Sequence, residues 1–432
     1  MIDFQTGQNF AQQMDQNDPL ANYRDQFHIP KTSDGKDVIY FCGNSLGLQP
    51  KATADAVTQE LKDWQDMGVE GHWNAKNPWM PYHEFLTQQY ASLVGAKPTE
   101  VVAMNTLTVN LHLMMVSFYR PTDTRHKIII EKGAFPSDQY AVKSQIQFHG
   151  FNPDTSLIEL TPRAGEDILH TDNILEAIAE HGDSIALIML GGVNYYTGQY
   201  FDLKTITEAG HKHGAIVGFD LAHTVGNIPL KLHGWNVDFA CWCSYKYLNS
   251  GPGSVAGCFV HEAHENKPDL PRFSGWWGHD KETRFKMGPD FHPIAGAEGW
   301  QLSNPPILSL AAVKASLDIF ADVGMEALRE KSLKLTGYFE YLLDSLNSTA
   351  FKVMTPRNPE ERGCQLSIVV HENGKQVFEA LENAGVICDW REPDCIRVAP
   401  VPLYNSFMDV YHFVETFAAH IGQNEHREEI TG

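Results

Sequence analysis

The sequence predicts an α/β protein, with a large domain built on a mostly parallel sheet flanked by helices and a smaller α+β domain behind it. Two observations predict the large domain. Six short, continuous apolar runs recur between residues 127 and 260, the form taken by strands buried on both faces. Helical periodicity fills several of the intervals between them, and such alternation builds a parallel sheet. The third observation is a change of character past residue 306, where two long helices precede isolated strands.

Taken in order, Val57, Leu61 and Trp64 fall at i, i+4 and i+7, so an amphipathic helix is expected there, with these three on its buried face. Tyr82, Phe85, Leu86, Tyr90 and Leu93 repeat the pattern. The strand-like runs are KIIIE from Lys127, SLIEL from Ser156, SIALIML from Ser184, AIVGFD from Ala215, DFACWC from Asp238 and VAGCFV from Val255. Helices are expected near 137–148, 171–181 and 203–213. The tail reads as helices 308–323 and 325–346, a strand CQLSIVV, a helix near 374–384, a strand in CIRVAP and a last helix near 407–421. The expected division is 50–305 for the large domain and 306–432, with the N-terminal segment 1–49, for the small one. The stretch 261–305 is long, aromatic and studded with Pro and Gly, as functional loops often are.

Composition excludes some partners. Of 432 residues 43% are hydrophobic, 20% charged and 11% aromatic, the make-up of a soluble globular protein. Lys and Arg number 33 against 54 Asp and Glu, a formal net charge of −21. Such an acidic surface argues against nucleic acid and anionic membranes, which need basic patches. Seven cysteines without paired CxxC motifs read as a reduced chain. The opening MIDFQTGQNFAQQMDQNDPL lacks a basic and apolar leader, and the longest apolar stretches are about half a membrane span, so a cytoplasmic location is expected.

The chemistry lies in AIVGFDLAHTVGN and DFACWCSYKYLNSGPGS, residues 215–227 and 238–254. One apolar strand ends on Asp220, with His223 three residues on; another runs into Ser244, Tyr245 and Lys246. Open α/β sheets place ligands at the C-terminal ends of their strands. A lysine amine for a Schiff base and a carboxylate for a pyridinium nitrogen are what pyridoxal 5'-phosphate (PLP) requires. Upstream, Leu107 and Thr108 open a helix, and a hydroxyl with free N–H groups at a helix N-terminus suits a phosphate. The same residues also read as a plain helix cap. In AFPSD, Phe135 offers a flat face for a ring and Asp138 a polar contact; a core phenylalanine and a capping Ser137 are the alternatives.

Taken together, FCGNSLGLQP, TLTVNLH, AFPSD, GVNYYTGQ, GFDLAH, FACWCSYKYLN, GWWGH, RFKM, SNPPIL and IRVAP closely resemble the kynureninases, PLP enzymes of the aspartate-aminotransferase fold type. The motifs are long, span most of the chain and keep the family's order. The resemblance implies PLP fold type I with a sheet of the seven-stranded type. It implies hydrolytic Cβ–Cγ cleavage of kynurenine or 3-hydroxykynurenine to anthranilate or 3-hydroxyanthranilate and L-alanine, in tryptophan catabolism and NAD biosynthesis. Lys246 is then the Schiff-base lysine and proton-transfer base, and Tyr245 a phosphate ligand or a further acid/base. Asp220 binds the pyridine nitrogen and His223 lies near the ring's 3-oxygen. Leu107, Thr108 and Tyr245 hold the phosphate, while Phe135 stacks on the ring with Pro136, Ser137 and Asp138 beside it. Trp276 and Asn304 match positions contributed across a homodimer interface. Ser45, His72, Ser303, Asn304 and Arg397 match substrate-binding positions, Arg397 gripping the α-carboxylate. His72, Ser303 and Asn304 match the set facing the aryl end in members that favour 3-hydroxykynurenine. Gly191 departs from the family pattern, which can carry a hydroxyl residue near the cofactor there.

Other signals carry less. HEAHE at 261–265 lacks the HExxH zinc spacing, so no metal is expected. His211 and His213 do not share a helix face and are expected to face solvent. Trp277 and Trp300 read as core beside Trp276. A desulfurase or an aminotransferase would share Asp220 and Lys246, but a desulfurase also needs a cysteine on a mobile loop, for which only Cys395 and Cys42 are candidates. A binding protein of the same fold would not need Lys246.

Overall fold

The computed structural model describes residues 2–421 apart from 266 and 268, so the end of the expected small domain, 422–432, lies outside the described residues. The apolar runs all become strands. A short β1 (Ile39–Tyr40) precedes the main set: β2 (Val101–Ala103), β3 (Lys127–Glu131), β4 (Leu157–Leu160), β5 (Ile185–Gly191), β6 (Ile216–Asp220), β7 (Phe239–Trp242) and β8 (Gly257–Val260). Strands β2 to β8 form one seven-stranded sheet in the order β2-β8-β7-β6-β5-β3-β4. Every pairing from β4 to β7 is parallel; β8 runs antiparallel to both β7 and β2. Between the strands lie helices Pro136–Phe148, Thr171–His181 and Leu203–Lys212, where the periodicity expects them. Strands β5 to β8 are buried almost without interruption, which is why they carry no polar alternation.

The tail forms a four-stranded sheet of β9 (Phe351–Val353), β10 (Leu366–Val370), β12 (Asp389–Arg391) and β13 (Cys395–Val398), antiparallel throughout, in the order β12-β13-β10-β9. The two residues of β11 (Val386–Ile387) pair instead with β1. Helix Gln8–Gln16 packs on helix Phe407–His420, so the N-terminal segment joins this layer. The hydrophobic core crosses residue 306. Leu310, Val313 and Leu317 of helix Ile307–Val323 pack with the core under the large sheet, and helix Met325–Ser345 then leads away, its Leu335, Tyr338 and Phe339 lying in the core of the small sheet.

One expected face is reversed. In helix Ala52–Met67, Leu61 is 43% and Trp64 62% exposed, whereas Glu60 and Asp63 are buried. The segment packed beneath supplies donors: Glu60 accepts from Asn77 Nδ2 and Trp79 Nε1, both at 2.9 Å, and from the Tyr82 hydroxyl at 3.1 Å. Asp63 accepts the Lys76 N–H at 3.1 Å. Paired acids go inward; Val57 still packs on the core, while Leu61 and Trp64 are left outside. No helix among the described residues is long and apolar enough to cross a membrane.

Candidate active site

The expected chemistry converges where the parallel strands end. Asp220 terminates β6, Glu131 terminates β3, Gly191 terminates β5, and the turn after β7 carries Tyr245 and Lys246; all five line one cleft. The lysine turn is held from several sides. Asn249 N–H bonds the Lys246 carbonyl at 2.9 Å, Ser250 N–H the Ser244 carbonyl at 3.0 Å, and Gly47 N–H the Tyr245 carbonyl at 2.8 Å. Gly47 belongs to the FCGNSLGLQP motif, and a Cβ there would lie 2.3 Å from the Lys246 carbonyl oxygen. Only glycine permits that approach, which gives this distant motif its reason.

Lys246 is buried, its Nζ 3.0 Å from His223 Nε2 and 5.6 Å from the centre of the Phe135 ring. Burial, then the charges of Lys246, Arg397 and Arg391, push the His223 imidazole well below its usual range, so it is neutral. Phe135 meets the Tyr195 ring edge-on at 5.3 Å between centres. At the cleft's other end helix Leu107–Phe118 begins, and the Thr108 and Ser137 hydroxyls stand 2.8 Å apart. Ser137 therefore does not cap its own helix; its hydroxyl turns to Thr108 at the first turn of the neighbouring one. Two hydroxyls beside the free N–H groups of a helix N-terminus form an anion-type site.

Three carboxyls share the floor. Asp220 accepts the Ala222 N–H at 2.7 Å and shares the cleft floor with the Asp138 carboxyl. Burial raises both carboxyls, and the like charges of Asp220 and Glu131 push Asp138 up further. Burial lifts Glu131 to about 7, against the pull of its bonds to backbone N–H groups. Burial also raises the Tyr245 hydroxyl, which is protonated at neutral pH.

Of the residues expected here, Leu107, Thr108, Phe135, Ser137, Asp138, Asp220, His223, Tyr245 and Lys246 line the cleft, and Pro136 opens the adjoining helix. Arg397 does not line it. The guanidinium is buried behind Tyr195, bonded to the Tyr195 carbonyl and to Asp389. Ser45, Ser303, Asn304 and Trp276 are exposed, and His72 half-buried, none of them lining this cleft. Sequence reasoning missed Glu131 and Tyr195. Glu131 had a signal, since KIIIE closes an apolar strand on an acid just as GFD does at Asp220.

Signals set aside find structural work. His211 is not simply solvated: its Nε2 lies 2.8 Å from Asp238, whose second oxygen takes His264 Nε2 at 2.7 Å. Glu100, His233 and His261 bring ligand-type atoms within 4.8 Å of one another. Those atoms have partners: Glu100 accepts from His233 Nδ1 and the Glu262 N–H, and His261 Nδ1 accepts the Ala263 N–H. Trp277 and Trp300 are buried, while Trp276 is 41% exposed. Cys395 lies buried in β13, and burial pushes it and Cys42 up to about 12, far from a reactive thiolate.

The family model described as "Kynureninase C-terminal domain" matches residues 328–417. The kynureninase of Koribacter versatilis is 60% identical over 97% of this chain and 99% of its own length. That of Myxococcus xanthus is 58% identical over 96% and 98%, and that of Nematostella vectensis 50% over 95% and 93%. Among solved structures, a cysteine desulfurase from Thermococcus onnurineus NA1 superposes with a TM-score of 0.73 at 17% identity, covering 95% of this chain and 98% of that one. A C-DES variant with glycine covalently linked to its PLP cofactor gives 0.73 at 18%, covering 88% and 96%. The structural likenesses establish fold type I; the full-length identities are specific, and the chain belongs to the kynureninase family.

Proposed function

We propose that this chain hydrolyses the Cβ–Cγ bond of kynurenine or 3-hydroxykynurenine, releasing anthranilate or 3-hydroxyanthranilate and L-alanine with PLP bound in the cleft. The observation that carries the reading is one buried lysine amine set opposite a buried aspartate at the strand ends, Lys246 and Asp220. The residues present fit the cofactor. His223 Nδ1 and Asp138 Oδ1 are buried without a partner among the described residues, Phe135 offers a ring face, and Thr108 with Ser137 offers an anion site.

When bound, PLP supplies an electron sink conjugated to the substrate's α-carbon. Asp220 would accept the pyridine N–H and keep that nitrogen protonated. Lys246 Nζ, the cofactor's anchor, moves the α-proton once substrate is seated. Neutral His223 holds the amine in line without adding a competing charge. The Tyr245 hydroxyl, protonated by burial, acts as a donor and not as a base. Arg397 takes the α-carboxylate, exchanging its bond to Asp389. Water adds to the γ-carbonyl, the Cβ–Cγ bond breaks with its electron pair on Cβ, and Cβ takes up a proton to become alanine's methyl group while Cγ leaves as the aryl carboxylate.

A homodimer belongs to the same reading. Trp64, Val69, Trp73, Phe273, Trp276 and Met287 are all exposed, and a partner would bring Trp276 and Asn304 to a cleft that lacks them. So does a cytoplasmic location. Incubating the purified chain with PLP and L-kynurenine should give anthranilate and alanine in equal amounts, and L-cysteine should give no sulfide. Absence of anthranilate, or turnover undiminished in Lys246→Ala, would refute the proposal.

A further inference from the structure

Glu131 is the buried acid that the scheme above leaves unused. It ends β3 with its two carboxylate oxygens 3.3 Å from the Gly191 N–H, at the end of neighbouring β5. A Cβ at residue 191 would lie 3.0 Å from Oε1, so glycine leaves the space that this carboxylate occupies. The same cleft presents Asp138 from the adjoining helix, Asp220 from β6 and Lys246 from the turn after β7. A low-dielectric floor with three carboxyls and one ammonium cannot hold three negative charges, so a proton stays among them. Backbone N–H groups favour the ionised form of Glu131, and Ala222 N–H that of Asp220; Asp138 Oδ1 has no partner among the described residues.

We propose that Glu131 is a positioning residue whose carboxylate, once ionised, keeps a proton on Asp138, so that Asp138 donates to Asp220 and orients it toward the pyridine nitrogen. The inference rests on the cofactor reading only for its consequence, since the carboxyl trio exists without the cofactor. Infrared spectroscopy of the full chain tests it. A protonated-carboxyl band absent from Asp138→Asn reports the Asp138 proton, and its pH titration gives a midpoint with and without PLP. Glu131→Gln keeps an acceptor for Gly191 N–H but removes the charge, and should lower that midpoint by about one pH unit or more. Glu131→Asp keeps the charge and should hold the midpoint within about 0.3 unit of the parent. In the PLP-loaded chain, the cofactor's absorption should change with the same midpoint.

An unmoved midpoint in Glu131→Gln overturns the proposal, as does the absence of any Asp138 band in the parent chain. If Glu131→Gln does not fold, Glu131→Asp decides alone, and a shift of about one unit there shows that shape, not charge, matters. Failure of the parent chain to develop long-wavelength absorption with PLP would refute the cofactor reading instead, leaving the band titration to stand separately.

Discussion

Replacing Asp220 by Asn separates what the carboxylate does for chemistry from what the cleft does for capture. The substitution is isosteric, and the Asn carbonyl can still accept the Ala222 N–H that Asp220 takes at 2.7 Å, so the turn after β6 keeps its geometry. What disappears is a buried negative charge and the acceptor for Asp138. A hydrogen bond to a charged group is worth about 1.5–3 kcal/mol, which converts to a roughly ten- to 150-fold fall in kcat if it is expressed only when the ring carries extra electron density. The contacts expected for phosphate and ring, through Thr108, Ser137 and Phe135, are untouched, so the Kd for PLP should rise less than about tenfold. Anthranilate release at saturating kynurenine gives kcat, and fluorescence quenching of the cofactor-free chain gives Kd. A kcat within about twofold of the parent, or a Kd that rises as steeply as kcat falls, would refute the electron-sink role.

Glu60→Ala should lower unfolding stability by about 3 kcal/mol, because it strands the Asn77, Trp79 and Tyr82 donors in a buried site; urea midpoints at constant m would check this. Asp238→Asn should cost stability in a pH-dependent way. The bond to Asp238 raises the His211 pKa, so that pair's contribution is complete below about pH 6.5 and fades as pH climbs through the raised value; thermal melts should show the parent–variant gap narrowing toward alkaline pH. Burial works to raise Asp238 itself, but its bonds to His211, His264 and Val217 N–H hold it down at about 2, so a second loss is expected as pH falls from about 4 toward 2. If His72, Ser303 and Asn304 face the aryl end, kcat/KM should favour 3-hydroxykynurenine, because polar groups left unpaired cost about 1–3 kcal/mol, and His72→Trp should erode the preference. An equal or higher kcat/KM for plain kynurenine would refute it.

Legibility followed the length scale of each signal. The strands β3 to β8 were readable because each is a short, mostly apolar run, and in β5 to β8 burial on both faces removes the need for alternation; β4, at the sheet's edge, leaves Glu159 exposed. Strands β1, β2, β9, β11 and β12 have two or three residues each, too few to show a period against loop composition. Helix Ala52–Met67 misled for a different reason. Its apolar positions do repeat with helical spacing, but periodicity reports only that two faces differ, not which one the protein buries. The deciding information sat 17 to 22 residues downstream, in the Asn77, Trp79 and Tyr82 donors that draw Glu60 inward.

The cleft divides along the same line. Lys246, Asp220, Thr108 and Asp138 occur at strand ends and helix starts, where local sequence fixes the position of a side chain, and the fold brings them together. Arg397, His72 and Asn304 were reached only through resemblance, and none of them lines the cleft: Arg397 is buried against Asp389, Asn304 is exposed and His72 half-buried. Glu131 lies between these cases. Its position was as legible as that of Asp220, since each is the acid that closes an apolar strand. Its significance was not, because that depends on Gly191, sixty residues away, having no side chain to fill the space. A glycine is read from sequence as freedom of the backbone; here its consequence is room for a carboxylate oxygen 3.0 Å from where a Cβ would lie, bonded to the glycine's N–H.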